Sequence, residues 1–346
     1  MTVRRYRAGD EQQIQALFEK VFKHKRSLSH WQWKFINTPT TTNPFILVFE
    51  EEGEILGHIS LWVHDAFVDG KRTKLGLRVD TMVDPDAQGK GIYRKLNEHL
   101  FPEAKKDGIS YVYGFPAAKA KQLFQRYTGA FHMTDMPRLV YVLRPLTLLS
   151  TKFSIMKVFS GFDRLVAAIR LGKFTKQSRN GEVREVEKFD QTFDQLAERL
   201  RNRYPVQLVR DAAYLNWRYR EHPDYQYHVL GYYEKQELLG YLVYKIERNE
   251  QKGFTNGLIM DLVVDENKQE VIQKELLAIA MKKMSKVDMV QAWSLPSMEL
   301  YDLLKKHGFI HKDSPVPLVG KEVTGTKTYA SDYTNWFITT GDVDSF

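Results

Sequence analysis

Along the first 130 residues the spacing of apolar positions switches repeatedly between two and nearly four. Val3 to Tyr6 alternates like a short strand, and Ile14, Leu17, Phe18, Val21 and Phe22 within Glu11 to Phe22 recur on one helix face. Pro44 to Glu50 and Ile55 to His64 read as two strands around the turn Glu51-Glu52-Gly53-Glu54, and Asp69-Gly70 turns the chain into a third strand, Lys74 to Val83. These form an antiparallel meander. A helix from Ile92 with Leu96 and Leu100 on one face follows, then a strand from Ile109 to Phe115 and a helix carrying Ala120, Leu123, Phe124 and Tyr127.

The pattern recurs about 180 residues later. Trp33-Lys34-Phe35 with Pro39 returns as Trp217-Arg218-Tyr219 with Pro223, and Glu54-Ile55-Leu56-Gly57 as Glu237-Leu238-Leu239-Gly240. The strand Leu77 to Asp84 returns as Leu258 to Asp265, and Phe115-Pro116 with Gly129-Ala130-Phe131 as Leu295-Pro296 with Gly308-Phe309. Four matches in one order at a nearly constant offset predict a duplicated domain: residues 1–145 and 183–346, joined by a linker over 146–182. Within the linker, Phe153 to Leu171 reads as a basic amphipathic helix that packs across a domain interface in preference to a membrane surface.

Length agrees with this division, because 346 residues exceed the usual single core. The absence of cysteine excludes disulfides, thiolate nucleophiles and zinc fingers. No apolar run reaches membrane-spanning length and no apolar segment follows the basic N-terminus, so a cytoplasmic location is expected. The net charge of +8 favours anionic partners, but the basic residues are scattered without a recognition motif, and nucleic acid is not the expected partner.

Candidate chemistry concentrates in Val83-Asp84-Pro85-Asp86-Ala87-Gln88-Gly89-Lys90-Gly91-Ile92-Tyr93-Arg94-Lys95-Leu96, a strand end, a glycine loop and a helix start. Unpaired N–H groups at a helix N-terminus, the helix dipole and glycines that admit close approach make such a junction a phosphate cradle. Lys90 adds a cation.

Gln88-Gly89-Lys90-Gly91-Ile92-Tyr93, after Val83-Asp84-Pro85, resembles motif A of the GNAT superfamily, the Gcn5-related N-acetyltransferases, with Tyr93 where a small residue is customary. The likeness extends over most of both halves and is nearest to the tandem, enhanced-intracellular-survival type. It implies an α+β (mixed α/β) fold of two GNAT-like domains, each a mostly antiparallel sheet flanked by helices. It also implies acetyl-CoA as co-substrate, with Met82 and Val83 meeting the pantetheine arm and amides of the loop Gln88, Gly89, Lys90, Gly91, Ile92 and Tyr93 meeting the pyrophosphate. In the second half Val264-Asp265 leads into Glu266 to Ile272 without glycine, with Glu270 near the place of Gly89, and this half is expected to hold no cofactor.

The implied activity is direct acetyl transfer to a primary amine, of a small molecule or a peptide, in the N-terminal domain. Such transfer needs a proton acceptor, an oxyanion donor and a route for the leaving thiolate, but neither a covalent nucleophile nor a metal. Asp80 is the candidate base, although its repeat Asp261 also fits a structural role for both. The Val83 N–H is the candidate oxyanion donor. Tyr127 is the candidate acid, with the alternative that Phe124 holds the customary tyrosine position and Tyr127 is core. The terminal carboxylate of Phe346, which follows an aromatic strand expected around Tyr333 to Ile338, is a further catalytic candidate, against the reading of a frayed tail. His58 is read as a surface or core histidine in preference to a cleft residue, and Trp33 and Trp217 as packing. No spacing suits a metal site. A Fem-type aminoacyl transferase and a non-catalytic acyl-CoA sensor are the alternative functions.

Overall fold

The computed structural model describes residues 2–40, 43–151, 153, 158, 161–174, 181–266 and 269–344. The first half runs β1 (Thr2–Arg5), α1 (Glu11–Phe22), α2 (Leu28–Phe35), β2 (Phe45–Glu51), β3 (Glu54–Val68), β4 (Lys71–Val83), α3 (Ile92–Lys106), β5 (Ile109–Gly114), α4 (Ala118–Thr128) and β6 (Phe131–Val142). Helices α5 (Pro145–Ser150) and α6 (Asp163–Leu171) follow. The second half runs β7 (Glu182–Glu185), α7 (Gln191–Arg199), β8 (Val206–Leu208), α8 (Ala212–Tyr219), β9 (His228–Glu234), β10 (Glu237–Asn249), β11 (Phe254–Val264), α9 (Gln269–Lys283), β12 (Met289–Trp293), α10 (Glu299–Lys306) and β13 (Ile310–Glu322), with a short β14 (Trp336–Phe337) near the end. The fold is mixed α/β, a large and mostly antiparallel sheet flanked by helices.

Alternation explains how the sheet is covered. In β2, Phe45, Leu47 and Phe49 face the layer of α3 and α4 with Ile92, Leu96, Leu100 and Phe124, whereas Ile46 and Val48 face the opposite layer with Ile14, Leu17, Phe18 and Trp31. Gly57 is where α3 comes closest to β3: a Cβ there would lie 2.5 Å from Cγ2 of Ile92.

The two halves share one sheet, with strand order β1-β2-β3-β4-β5-β13-β6-β12-β11-β10-β9-β7. The last long strand of each half is exchanged. β13 lies between β5 and β6, and β6 lies between β13 and β12, all antiparallel. Val319 of β13 therefore packs in the core beneath α3 and α4 of the first half. The two repeated tryptophans meet between the halves. Their rings stack at 5.2 Å and 16°, Trp33 Nε1 donates to the Trp217 carbonyl at 2.7 Å, and Trp217 Nε1 donates to the Trp33 carbonyl at 2.9 Å.

Two segments depart from their sequence reading. The amphipathic helix expected over Phe153 to Leu171 is helical, among the described residues, over Asp163–Leu171. Asp163 instead turns back to accept the Leu146 and Thr147 amides at the start of α5. The C-terminal strand expected around Tyr333 to Ile338 is reduced to the two residues of β14, because Asp332 accepts the Thr334 amide and closes a 3-10 turn over Tyr333–Asn335.

Candidate active site

The glycine loop follows the end of β4. Asp84 accepts the Asp86 amide at 2.9 Å and caps a 3-10 turn over Pro85–Ala87, and Lys20 braces Asp84 and Asp86 at 2.7 Å each. Gly89 and Gly91 take φ of +88° and +72°, a region that favours glycine, and a Cβ on either would meet open space. Gly91 is the N-cap of α3 and has no side chain to accept from the first-turn amides. Lys90 is engaged at 2.8 Å with Glu51.

Next to the loop, β4 parts from β5. Their parallel pairing ends at Leu77 and Tyr113, which leaves the edge of β4 from Arg78 to Val83 without a β5 partner. On its other edge β4 pairs with β3 through a bulge, since His58 faces Met82 and Ser60 faces Val79, so Asp80 and Thr81 together oppose Ile59. Asp80 takes φ of +43° in this bulge, and His58 Nδ1 lies 2.7 Å from its carbonyl oxygen. His58 is buried and burial lowers its pKa to about 4, so it is a neutral donor that holds the bulge.

A cleft of ≈ 730 Å³ opens at this parting and has two chemically different walls. The wall on the α1 and α2 side carries Arg26, His30, Lys34 and Asp80, with Asp224 and Asp344 from the second half. Asp80 pairs with Lys34 at 2.9 Å and, in a shorter contact, with Arg26, while Lys34 also reaches Asp344 at 3.1 Å. Burial disfavours the Asp80 charge, but Lys34 and then Arg26 outweigh it and hold the carboxyl well below the usual carboxylate range. A carboxylate so held is a weak proton acceptor. Lys34 is the converse case: burial opposes its charge, and Asp80 and Asp344 keep its pKa above the ordinary value.

Sequence reading missed the group on this wall best suited to take a proton. His30, in the first turn of α2, has Nδ1 on a carboxylate oxygen of Asp224. Because an ionised carboxylate only accepts, Nδ1 carries the proton and Nε2 is left as the basic nitrogen. Burial, opposed by Asp224, sets the His30 pKa below its ordinary value. The two residues are 194 positions apart on different halves, so no local spacing announces them. A signal did exist for the Asp80 clamp. Arg26 and Lys34 precede and include the repeated Trp33 motif at the offset of Arg210 and Arg218, beside the repeated aspartate.

The wall on the α3 and α4 side carries Arg78, Tyr93 and Phe124. The Arg78 guanidinium donates to Thr81 Oγ1 at 3.0 Å, Asn97 Oδ1 at 2.8 Å and the Tyr93 hydroxyl at 2.9 Å, and stacks 4.3 Å from the Phe124 ring centre. Tyr127 stands apart from the cleft lining, 38 % exposed, with its ring 5.6 Å from that of Tyr93. Met82 is buried and Val83 partly so at the end of the free β4 edge. Phe346 lies outside the described residues; Asp344 brings the chain's last described residue to the cleft. Among the described residues no cluster of three or more His, Asp or Glu side chains is arranged for a metal.

The second half closes the corresponding place. β11 and β12 part after Ile259 and Ala292, and residues 339–342 enter the gap. Thr340 Oγ1 accepts the Trp293 amide at 3.0 Å, Thr339 Oγ1 donates to Asp261 at 2.6 Å, and Asp342 and Asp261 share buried Arg210. Residues 267–268, where a loop would precede α9, lie outside the described residues.

Residues 2–127 match the family described as Acetyltransferase (GNAT) domain. Solved structures share the fold along nearly its whole length. A GCN5-related N-acetyltransferase from Anabaena variabilis ATCC 29413 superposes with a TM-score of 0.68 at 15 % identity, over 93 % of this chain and 72 % of that one. A GCN5-related N-acetyltransferase from Kribbella flavida gives 0.64 at 13 % identity, over 93 % and 70 %. A conserved protein of unknown function from Enterococcus faecalis V583 gives 0.66 at 11 %, over 94 % and 72 %. At these identities the likeness is one of fold. No curated protein matches the chain.

Proposed function

We propose that this chain transfers an acetyl group from acetyl-CoA to a primary amine of a small molecule or peptide by direct attack. Catalysis takes place in the N-terminal unit, residues 1–145, and the unit 183–346 shapes the acceptor side. The observation that carries this reading is the parting of β4 from β5 beside a glycine-capped helix start, matched in the second half by a gap already filled by residues 339–342. Amides from Gly89 to Tyr93 hold the pyrophosphate, and Gln88 and Lys90 border it. The pantetheine arm pairs with the free edge of β4 near Met82 and Val83, and the Val83 N–H faces the developing oxyanion.

The amine enters from the α1 and α2 wall, where Asp224 and Asp344 favour an approaching ammonium. Its proton passes to Nε2 of His30, directly or through one water, while Asp224 fixes the tautomer and steadies the imidazolium. Asp80 is assigned the role of locking the bulge through Arg26 and Lys34. A thiolate with an ordinary pKa of about 8.5 leaves without an obligatory acid, so Tyr127 is assigned to packing on Tyr93.

The test is thiol release from acetyl-CoA across a panel of primary amines and amino-terminal peptides, for the native protein and for His30→Gln. The reading expects turnover with at least one amine and a loss in kcat of about 10²-fold in the variant. Tight acetyl-CoA binding with no turnover on any amine would instead support an acyl-CoA sensor.

A further inference from the structure

On the α3 and α4 wall, Arg78 is a cation without an anion. No carboxylate among the described residues pairs with it, and its three hydrogen-bond partners, Thr81, Asn97 and Tyr93, are neutral oxygens. Burial lowers its pKa to about 10, offset only in part by Tyr93. Contrast two other cations of the cleft: Arg26 and Lys34 each have an aspartate. A desolvated charge without a partner is costly, and a guanidinium has five N–H donors, of which three are used.

Its neighbours build a rigid seat. The Phe124 ring lies beneath the guanidinium, Asn97 is buried and anchored by its own bond to the Tyr93 carbonyl at 2.7 Å, and Gly114 leaves room where a Cβ would lie 3.3 Å from that of Arg78. The large residue at the start of α3 thereby gains a reason: the Tyr93 hydroxyl fixes the orientation of the fork. Arg78 follows the last β4 to β5 pair and lines the cleft together with Tyr93 of α3, the helix that the glycine loop starts. An anion that reaches it belongs to the acyl donor rather than to the amine.

We propose that the cleft takes an acyl thioester whose acyl chain ends in a carboxylate, and that Arg78, oriented by Tyr93 and Asn97, is the residue that receives it. The inference rests on the CoA-thioester reading above and extends the donor from acetyl-CoA to thioesters of dicarboxylic acids. The remaining two N–H groups suit the two oxygens of a carboxylate.

The test is calorimetric binding of CoA, butyryl-CoA and succinyl-CoA, the last two of equal chain length, to the native protein, Arg78→Met and Arg78→Lys, each checked for an unchanged melting profile. Succinyl-CoA is expected to bind the native protein at least 10-fold more tightly than butyryl-CoA. Arg78→Met is expected to abolish that preference while leaving CoA within about 3-fold, and Arg78→Lys to keep part of it as a point charge. Equal binding of the two thioesters by the native protein overturns the inference and leaves the acyl-CoA reading standing. An equal loss for CoA and succinyl-CoA in Arg78→Met also overturns it, because Arg78 would then hold the neutral arm. Failure of CoA itself to bind the native protein removes the acyl-CoA reading, and the inference with it.

Discussion

At the residue scale, His30 and Asp80 divide the work that one carboxylate was expected to do. Asp80 sits in a left-handed bulge between two cations, and Asn tolerates that conformation, so Asp80→Asn isolates the charge. Its removal leaves Arg26 unmatched and Lys34 with Asp344 alone in a buried site, with an expected loss of about 3–5 kcal/mol in denaturant unfolding. The signature of His30 is its pH profile. With its pKa lowered by burial, kcat/KM should be level at neutral pH and fall only below the ordinary histidine value, and Asp224→Asn should reduce kcat and alter that limb. A limb unchanged by Asp224→Asn would argue against the pair. The aspartate was legible from its repeat and the strand pattern. The histidine was not, because its partner reaches it from the other half of the chain.

At the scale of elements, the strands and helices that build the loop follow their hydrophobic periods closely. α1 spans Glu11–Phe22 as its spacing implies, and α3 begins at Ile92, directly after the glycine that caps it. Less legible were segments whose shape is set by distant partners, such as α6 under Asp163 and the tail around β14. The seating of α3 depends on Gly57. Gly57→Ala would press on Ile92, and we expect a loss of about 1–3 kcal/mol together with weaker CoA affinity, measured by thermal melting and calorimetry. An alanine variant with native stability and affinity would show that α3 is free to move there.

At the scale of the whole molecule, the exchanged strands bind the two halves into one unit. Residues 1–145 expressed alone lack β13 between β5 and β6, and residues 181–346 alone lack β6 between β13 and β12. Neither fragment is expected to melt cooperatively by circular dichroism, whereas the mixed fragments are. Their pairing was out of reach of the repeat pattern, which reports that the halves match and not that they trade strands. The buried histidines give the molecule a second collective property. Burial lowers the pKa of His58 to about 4 and of His64 and His222 to about 3, so each takes up a proton on unfolding at mildly acid pH. Their contribution to stability is complete above the unfolded histidine value of about 6.5 and is lost as pH falls toward 4 and below. Three such protons correspond to a slope of about 4 kcal/mol per pH unit at most, which urea unfolding between pH 7 and pH 5 would register.

The central claim is that one half of this chain binds acetyl-CoA through the loop from Gln88 to Tyr93. The most direct measurement is calorimetric titration of acetyl-CoA into the native protein and into Gly91→Glu, whose added carboxylate would stand where the pyrophosphate is expected, with melting curves to establish that both are folded. The account predicts one site per chain in the native protein and none in Gly91→Glu. Two sites per chain, or undiminished binding by folded Gly91→Glu, would contradict it.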